Sequence, residues 1–282
     1  MQAEINLRLV APRLSAEAEW REFLTHGNPG LQRLRALFRR VPEDPRCVSC
    51  CAPFKGPVAP LFRALGFTRF DKNPRWCANC FGHLVKHQIG GAVVEISMLF
   101  ADVRGSTPMA ESMAPTQFHT IIDRFYAEGT RALIAHDALI ERFMGDQIVA
   151  YFVPSFAGAA HARRAIDAGL ALLEATGHGD PGGPWIPVGV GVHTGDAFVG
   201  TVGDPRQVVN FTALGDAVNL GARLASAAID GELVVSEASA SLGGLPKDAG
   251  DRRSVSVKGK HDAIAVRVLT VAASKAILQS AR

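Results

Sequence analysis

Hydrophobic residues from Val93 onward, in the stretch VVEISMLFADVRGST, predict one buried strand. The strand ends at a carboxylate, Asp102, and a short polar turn of residues 104–107 follows before a helical pattern begins. An Asp at a strand end is most often only a turn former. A carboxylate followed by backbone N–H groups at a helix start can, however, also hold a metal ion and a phosphate together.

A second carboxylate lies at the tip of a predicted hairpin. In residues 139–152, LIERFMGDQIVAYF, alternating apolar residues run into Gly145 and Asp146 and continue beyond them, which is the pattern of a β-hairpin. If neighbouring strands bring Asp102 and Asp146 side by side, the two carboxylates together can bind two divalent cations.

The remaining periodicities predict the element order β-α-β-β-α-β. One helix is expected over Pro115–His136 and another over Phe156–Thr176, where a Gly-rich break ends it. A third is expected over Asp216–Ala227. Three separate strands are expected before that last helix, in WIPVGVGVHTG, DAFVGTVGD and RQVVNFTALG. This order predicts an α+β fold with a ferredoxin-like βαββαβ core and a β-rich C-terminal extension.

The N-terminal third carries helical spacing and a cluster of cysteines. Residues 13–40 predict two amphipathic helices, split at residues 27–30, that either pack on the main domain or support dimerisation. The segment between the cysteine pairs is rich in Pro and Gly and has little core of its own. A metal would stabilise such a segment.

All five cysteines fall within 34 residues, in CVSCC and CANC. Two CxxC pairs separated by a 25-residue gap supply four thiolates in two knuckles, the arrangement that tetrahedral zinc prefers. The expected ligands are Cys47, Cys50, Cys77 and Cys80, and Cys51 is a possible substitute for Cys50. A cysteine-ligated iron–sulfur cluster and redox-active thiols are the alternatives.

Charge is distributed unevenly along the chain, which has a net charge of +3. Residues 1–90 hold 14 Lys and Arg against 7 Asp and Glu, and the remainder holds 16 against 20. The basic N-terminal part allows an acidic partner, but no aromatic residues alternate with its basic ones, so nucleic-acid binding is not expected. No apolar run reaches 18 residues and no leader-like segment is present, so we expect a soluble, cytoplasmic protein without a membrane span.

Three motifs, taken in this order, resemble those of the class III nucleotidyl cyclases. FADVRGST is similar to the first metal motif, RFMGDQIVAYF to the second, and NFTALGDAVNLGARLAS to the helix with transition-state residues. The resemblance covers roughly Glu95–Leu269. The organisation then predicted is N-terminal helices at 1–40, a cysteine-rich metal-binding module at 41–88, a cyclase catalytic domain at 90–272 and a tail at 273–282.

The resemblance implies a metal and phosphate site at the first two motifs. Asp102 and Asp146 would bind two Mg²⁺ or Mn²⁺ ions with help from the backbone carbonyl of Val103. The two ions would activate the ribose 3′-hydroxyl and neutralise phosphate charge. The phosphate-binding set would be completed by the turn residues Gly105, Ser106 and Thr107.

The resemblance also implies which residues act on the ribose and the phosphates. Asn219 and Arg223 are four residues apart and share one helix face. Asn219 would orient the ribose, and Arg223 would stabilise the transition state as negative charge builds on the α-phosphate. Lys258 resembles a late phosphate-binding lysine, and Lys260 is the alternative.

Base choice is where the chain departs from the family pattern. Adenylyl-type members place Lys where Arg142 stands, and guanylyl-type members place Glu there. Thr212 occupies the second base-reading position. Arg142 is a donor and adenine N1 is an acceptor, so ATP is the favoured substrate over GTP. Strand alternation predicts that the neighbouring Glu141 lies on the opposite face.

In the family, metal ligands come from one subunit and the transition-state residues from the other. A chain with all of these residues in a single cyclase domain therefore implies a head-to-tail homodimer with two composite sites. The predicted function is an adenylate cyclase with a metal-stapled N-terminal module. The alternatives are a guanylate cyclase, a catalytically silent nucleotide-binding or dimerisation module, and a nucleic-acid binder in which the cyclase-like domain is the sensor.

Overall fold

Strand β1 (Gly91–Val103) lies at the centre of a mixed sheet in the computed structural model, which describes residues 16–41, 45–70, 75–86, 90–203, 209–256 and 263–274. The other strands are β2 (Leu139–Met144), β3 (Gln147–Phe152), β4 (Val188–Gly203), β5 (Val209–Leu214), β6 (Leu233–Ser236), β7 (Asp251–Val255) and β8 (Ile264–Leu269). Across the described residues the sheet order is β2-β3-β1-β4-β6-β8-β7, and β5 pairs with β4.

Five of the helices in the described residues lie where the periodicities predict a helix, and the others are shorter segments that were not predicted as separate helices. None of the helices in the described ranges combines the length and the apolar character needed to cross a bilayer. They are α1 (Ala16–His26), α2 (Pro29–Phe38), α3 (Ala59–Ala64), α4 (Ala78–Lys86), α5 (Ser106–Ser112), α6 (Pro115–Ala135), α7 (Pro154–Ala157), α8 (His161–Ala175), α9 (Asp216–Ala227) and α10 (Glu237–Leu242).

The core follows the order β1-α6-β2-β3-α8-β4, and β1 pairs antiparallel with both β3 and β4. The predicted α+β fold with a ferredoxin-like βαββαβ core is therefore confirmed. One expectation was wrong: residues 188–203 form one continuous strand instead of two. Strand β4 pairs with β1 without a break from Val188 to Gly200, and Gly195 stays in register with Ile96. The predicted second helix is also divided, at Gly158, whose φ of +73° ends α7.

The two faces of the sheet bury separate cores. Helices α6 and α8 cover one face, where the fully buried Phe125 and Leu172 pack beside Leu99. Burial of one such side chain contributes about 2 kcal/mol. Helix α9 and α1 cover the other face, and Gly191 lets α9 approach closely, since a Cβ there would lie 2.2 Å from the backbone nitrogen of Ala225. This close approach fixes α9 against β4 and β1.

A buried carboxylate, Asp137, ties the N-terminal helices to the sheet. It lies just before β2 with φ of +65° and is 4% exposed. Arg35 of α2 and Arg39, which directly follows α2, pair with one of its oxygens, and Arg164 of α8 pairs with the other. Arg35 also donates to the carbonyls of residues 48 and 49, at 2.6 and 2.8 Å, in the first cysteine knuckle. One acid therefore joins α2, α8, the cysteine-rich segment and β2.

Asp137→Asn should lower the free energy of unfolding by about 2 kcal/mol, because the change removes the buried counter-charge of three guanidinium groups. The estimate is below that for a fully buried pair because Arg39 and Arg164 are partly exposed. Urea unfolding measures the change.

Asp167→Asn is the matched control, since among the described residues Asp167 pairs only with Arg163, one turn away on the partly exposed surface of α8. Its effect should stay below about 0.5 kcal/mol. Equal effects of the two substitutions would show that Asp137 does not anchor the N-terminal helices.

Candidate functional site

The register of β1 with β3 brings the two candidate metal acids together. Asp102, next to last in β1, lies opposite Gln147, the first residue of β3. Asp146 immediately precedes Gln147 in the two-residue turn between β2 and β3. The Val103 amide donates to the backbone carbonyl of Asp146 at 3.2 Å. Sheet pairing therefore fixes the spacing of the two acids.

The environment of Asp102 changes the pKa of its carboxylate. Partial burial raises the pKa of Asp102, the nearby charge of Asp146 raises it further, and the guanidinium of Arg104 opposes both. Arg104 also donates to the Asp102 carboxylate. Two carboxylates with one guanidinium leave an excess of negative charge and free oxygen ligands. This donor set suits a hard divalent cation such as Mg²⁺ or Mn²⁺.

Tyr126, on α6, supports the turn that carries Asp146 and has no motif to mark it in the sequence. Its hydroxyl donates to the carbonyl of Gly145, and its ring stacks on Phe143 with centroids 4.5 Å apart. Partial burial, and then the charge of Asp146, raise the pKa of Tyr126. The hydroxyl therefore stays protonated as a donor and holds the turn in place.

The predicted phosphate turn follows β1 directly. Gly105 adopts φ of +67° and precedes α5, where its carbonyl accepts from the Met109 amide at 3.0 Å. The amides of Ser106 and Thr107 lie in the first turn of this helix, where backbone N–H groups have no partner within the helix. These two amides follow the candidate metal ligand Asp102 by four and five residues along the chain.

Helix α9 carries Asn219 and Arg223 on one side, while Leu220 and Leu224 anchor its other side in the core. Asn219 is exposed and Arg223 is half-buried. Within the described ranges, no hydrogen bond or ion pair joins either residue to Asp102 or Asp146. A single chain therefore presents the acid pair and the α9 pair without direct contact between them.

The predicted base-reading residues lie on strands that frame one cavity of about 350 Å³. Arg142 of β2 is half exposed and lines this cavity. Thr212 of β5 is buried and lies outside the lining, but its neighbours Asn210 and Phe211 belong to it. The cavity therefore connects the two strands, with Arg142 as a donor in its wall.

Glu141 departs from the expectation. The pairing of β2 with β3 shifts by one residue between Ile140 and Arg142, so Glu141 sits in a β-bulge. A bulge interrupts the alternation of side chains, and Glu141 lines the same cavity as Arg142. Its carboxylate is 7% exposed, with Oε2 2.5 Å from Arg142 Nε. The prediction that Glu141 lies on the opposite face was wrong because no sequence signal marks the bulge.

Lys258 and Lys260, the candidate phosphate lysines, lie outside the described residues, as do residues 1–15 and 275–282. Their roles stay predictions.

Four cysteines form one cluster at the N-terminal side of the cyclase-like domain. The sulfurs of Cys47, Cys50, Cys77 and Cys80 all lie within 4.8 Å of one another, and Cys51 is not a member. The Cys77 amide donates to Cys47 Sγ at 3.3 Å, and the Cys80 amide donates to Cys77 Sγ at 3.4 Å. Burial opposes the charged form of Cys47, but hydrogen bonds from the other three thiols hold its pKa well below the usual value. Cys47 therefore favours the thiolate, the form that binds metals, whereas its hydrogen bonds with the other thiols raise the pKa values of Cys50 and Cys80.

The sulfur spacing fits a single metal ion. A tetrahedral ion with metal–sulfur bonds of about 2.3 Å places its sulfurs about 3.8 Å apart. The Cys50 and Cys77 sulfurs are 3.8 Å apart. An iron–sulfur cluster attaches its thiolates to more than one iron and needs a wider spacing. The geometry thus fits mononuclear binding better than a multi-iron cluster.

A family profile described as the adenylate and guanylate cyclase catalytic domain matches residues 91–270. An adenylate cyclase of Anabaena cylindrica is 29% identical over 189 residues, covering 64% of this chain and 38% of the relative. Adenylate cyclase 1 of Rhizobium meliloti is 31% identical over 135 residues, covering 46% of this chain and 20% of the relative. Guanylate cyclase 2G of Mus musculus is 28% identical over 175 residues, covering 59% of this chain and 16% of the relative. The matched region spans less than two fifths of each of these relatives.

Two solved structures share the fold at 26% identity. The guanylyl cyclase Cya2 superposes with a TM-score of 0.56 over 64% of this chain and 93% of that one. The adenylyl cyclase CyaB from P. aeruginosa superposes with a TM-score of 0.53 over 62% of this chain and 93% of that one. Enzymes named for either base therefore occur among the similar proteins.

Tyr126→Phe should weaken Mn²⁺ binding to the full chain by about tenfold, because loss of the hydroxyl frees the turn that holds Asp146. Isothermal titration calorimetry measures the dissociation constant.

Tyr151→Phe is the matched control, because within the described contacts the hydroxyl of this second tyrosine forms no hydrogen bond to the 145–146 turn. An unchanged Mn²⁺ affinity in Tyr126→Phe, equal to that of the control, would contradict the supporting role of Tyr126.

Proposed function

The chain belongs to the adenylate and guanylate cyclase catalytic domain family, and we propose that it is an adenylate cyclase that converts ATP to 3′,5′-cyclic AMP and pyrophosphate. The observation that carries the catalytic part of the proposal is the register that joins Asp102 to Asp146 at the end of β1. Without that acid pair the domain would have no site for the cations that this reaction needs.

Each group of residues in the proposed mechanism acts on a different part of the nucleotide. Asp102, Asp146 and the Val103 carbonyl would hold two Mg²⁺ or Mn²⁺ ions. When bound, these ions lower the pKa of the ribose 3′-hydroxyl and neutralise charge on the phosphates. The backbone amides of residues 105–107 bind the phosphates. Asn219 orients the ribose for in-line attack on the α-phosphorus.

Arg223 stabilises the transition state. Its guanidinium stays charged and follows the negative charge that builds on the α-phosphate as the bond to pyrophosphate breaks. Because no contact joins Arg223 to the acids within the described part of one chain, we place it opposite the acid pair of a second copy. The active species is then a head-to-tail homodimer with two composite sites.

ATP is the proposed substrate because Arg142 offers donors in the cavity between β2 and β5, and adenine N1 accepts. A specific observation favours the second candidate, a guanylate cyclase. Glu141 lies in the same cavity, and a carboxylate there could accept from guanine N1 and N2. The short contact between Glu141 and Arg142 offsets part of the charge of that carboxylate, which favours ATP over GTP as the substrate.

The four-cysteine cluster is proposed to hold one zinc ion. Its role is structural, because zinc has no redox chemistry and four protein ligands leave no open position for substrate. The support is the mononuclear spacing of the sulfurs.

Mixed variants test the shared site. Wild type should form cyclic AMP from ATP with Mn²⁺, and Asp102→Ala and Arg223→Ala should each be inactive alone. An equal mixture should recover about a quarter of wild-type activity, because half of the dimers are mixed and each holds one intact site. Product is quantified by chromatography.

A mixture of the Asp102→Ala and Asp146→Ala variants is the control. Each variant lacks one carboxylate of the acid pair, so no dimer has an intact site and the mixture should stay inactive. Failure of the first mixture to recover, with dimers present by light scattering, would contradict shared sites. Absence of cyclic AMP from wild type under either metal, or cyclic GMP as the main product, would contradict the proposed function.

Metal analysis tests the cysteine cluster. Untagged protein should contain about one zinc per chain, and Cys50→Ser should lose it because three thiolates bind zinc less tightly than four. Cys51→Ser is the matched control and should keep the metal. Iron with acid-labile sulfide, no metal at all, or equal loss in both variants would each contradict a zinc site built from Cys50.

A further inference from the structure

Two consecutive residues of the cysteine-rich segment reach both strands of the base cavity. Arg75 donates through Nη1 to the carbonyl of Ile140 in β2 and lines the cavity. Trp76 is 2% exposed, and its ring packs on Phe211 of β5 with centroids 5.8 Å apart. Both residues directly precede the cluster ligand Cys77. The matched family region begins at residue 91, so these contacts come from outside it.

Glu141 needs more compensation than Arg142 supplies. Its carboxylate is 7% exposed, and Oε2 makes its short contact to Arg142 Nε without the geometry of a hydrogen bond. A carboxylate buried to this extent is costly unless cations and donors surround it. Within the described residues, Arg75 is the second cation in the wall of this cavity.

Base recognition by the cavity depends on which nitrogens of the Arg142 guanidinium are used by Glu141 and which stay available to a bound base. An arginine that presents only Nε to a neighbour keeps both terminal nitrogens for other acceptors. A bidentate pair with Glu141 would use a terminal nitrogen as well and turn the guanidinium away from a ligand. Whether Arg142 faces the base therefore depends on how fully another group compensates Glu141.

Building on the proposed adenylate cyclase activity, we propose that Arg75 is a positioning residue for base recognition. Arg75 holds the bulge through the Ile140 carbonyl and partly neutralises the charge of Glu141. The terminal nitrogens of Arg142 then stay available for adenine. Trp76 sets the distance between β2 and β5 by packing on Phe211. Base recognition thus uses a residue from the cysteine-rich segment.

Steady-state kinetics of the full chain with ATP and GTP test the inference. Arg75→Gln should raise KM for ATP about tenfold and reduce the preference for ATP over GTP, with kcat within about twofold of wild type. Arg75→Lys, which keeps the charge, should raise KM less. Adding Glu141→Gln to Arg75→Gln should return KM for ATP to within about threefold of wild type, since no carboxylate then competes for Arg142. Arg63→Gln, at an exposed position of α3, is the control.

Zinc content and thermal melting of each variant separate positioning from folding. Unchanged KM in Arg75→Gln would overturn the inference. A raised KM that Glu141→Gln does not correct, or a loss of zinc with kcat and melting temperature falling together, would show that Arg75 only supports the fold and would also overturn it. In each of these cases wild type still forms cyclic AMP and the proposed function stands. A wild type that forms none overturns both.

Discussion

The antiparallel pairing of β1 with β3 is the constraint on which the site depends. It holds two carboxylates next to each other, although the charge of Asp146 makes ionisation of Asp102 less favourable. The sheet can impose this arrangement because the apolar residues of β1 are buried on both faces. The resulting negative charge at the strand end favours binding of a divalent cation there.

Strand β2, next to this pair, contacts residues that lie N-terminal to the cyclase domain. Asp137, just before β2, binds Arg35, which also contacts the first cysteine knuckle. Arg75, just before the second knuckle, contacts the Ile140 carbonyl within β2. β2 then continues to Arg142 and to the turn with Asp146. The cysteine cluster is thereby connected to the strand that carries a candidate base-reading residue and leads to a candidate metal ligand.

Much of the fold could be predicted from the sequence, because its elements follow simple periodicities and its motifs are local. The βαββαβ order and the clustering of four cysteines are confirmed. The continuity of β4 could not be predicted, since glycines in a sequence look like breaks whether or not a partner strand keeps them paired. The bulge at Glu141 was missed for a similar reason, because alternation assumes regular pairing. Tyr126 and Arg75 act on carbonyls 19 and 65 residues away, and no local pattern reports such contacts.

The central claim is that two cations bind between Asp102 and Asp146 and that α9 of a second chain completes the active site. Anomalous diffraction from crystals grown with Mn²⁺ and a non-cyclisable ATP analogue tests it most directly. The account predicts two manganese peaks bridging both carboxylates and the triphosphate, with Asn219 and Arg223 of the neighbouring copy on the ribose and α-phosphate. Manganese peaks away from these carboxylates, or a nucleotide bound with α9 of every copy turned away, would contradict it.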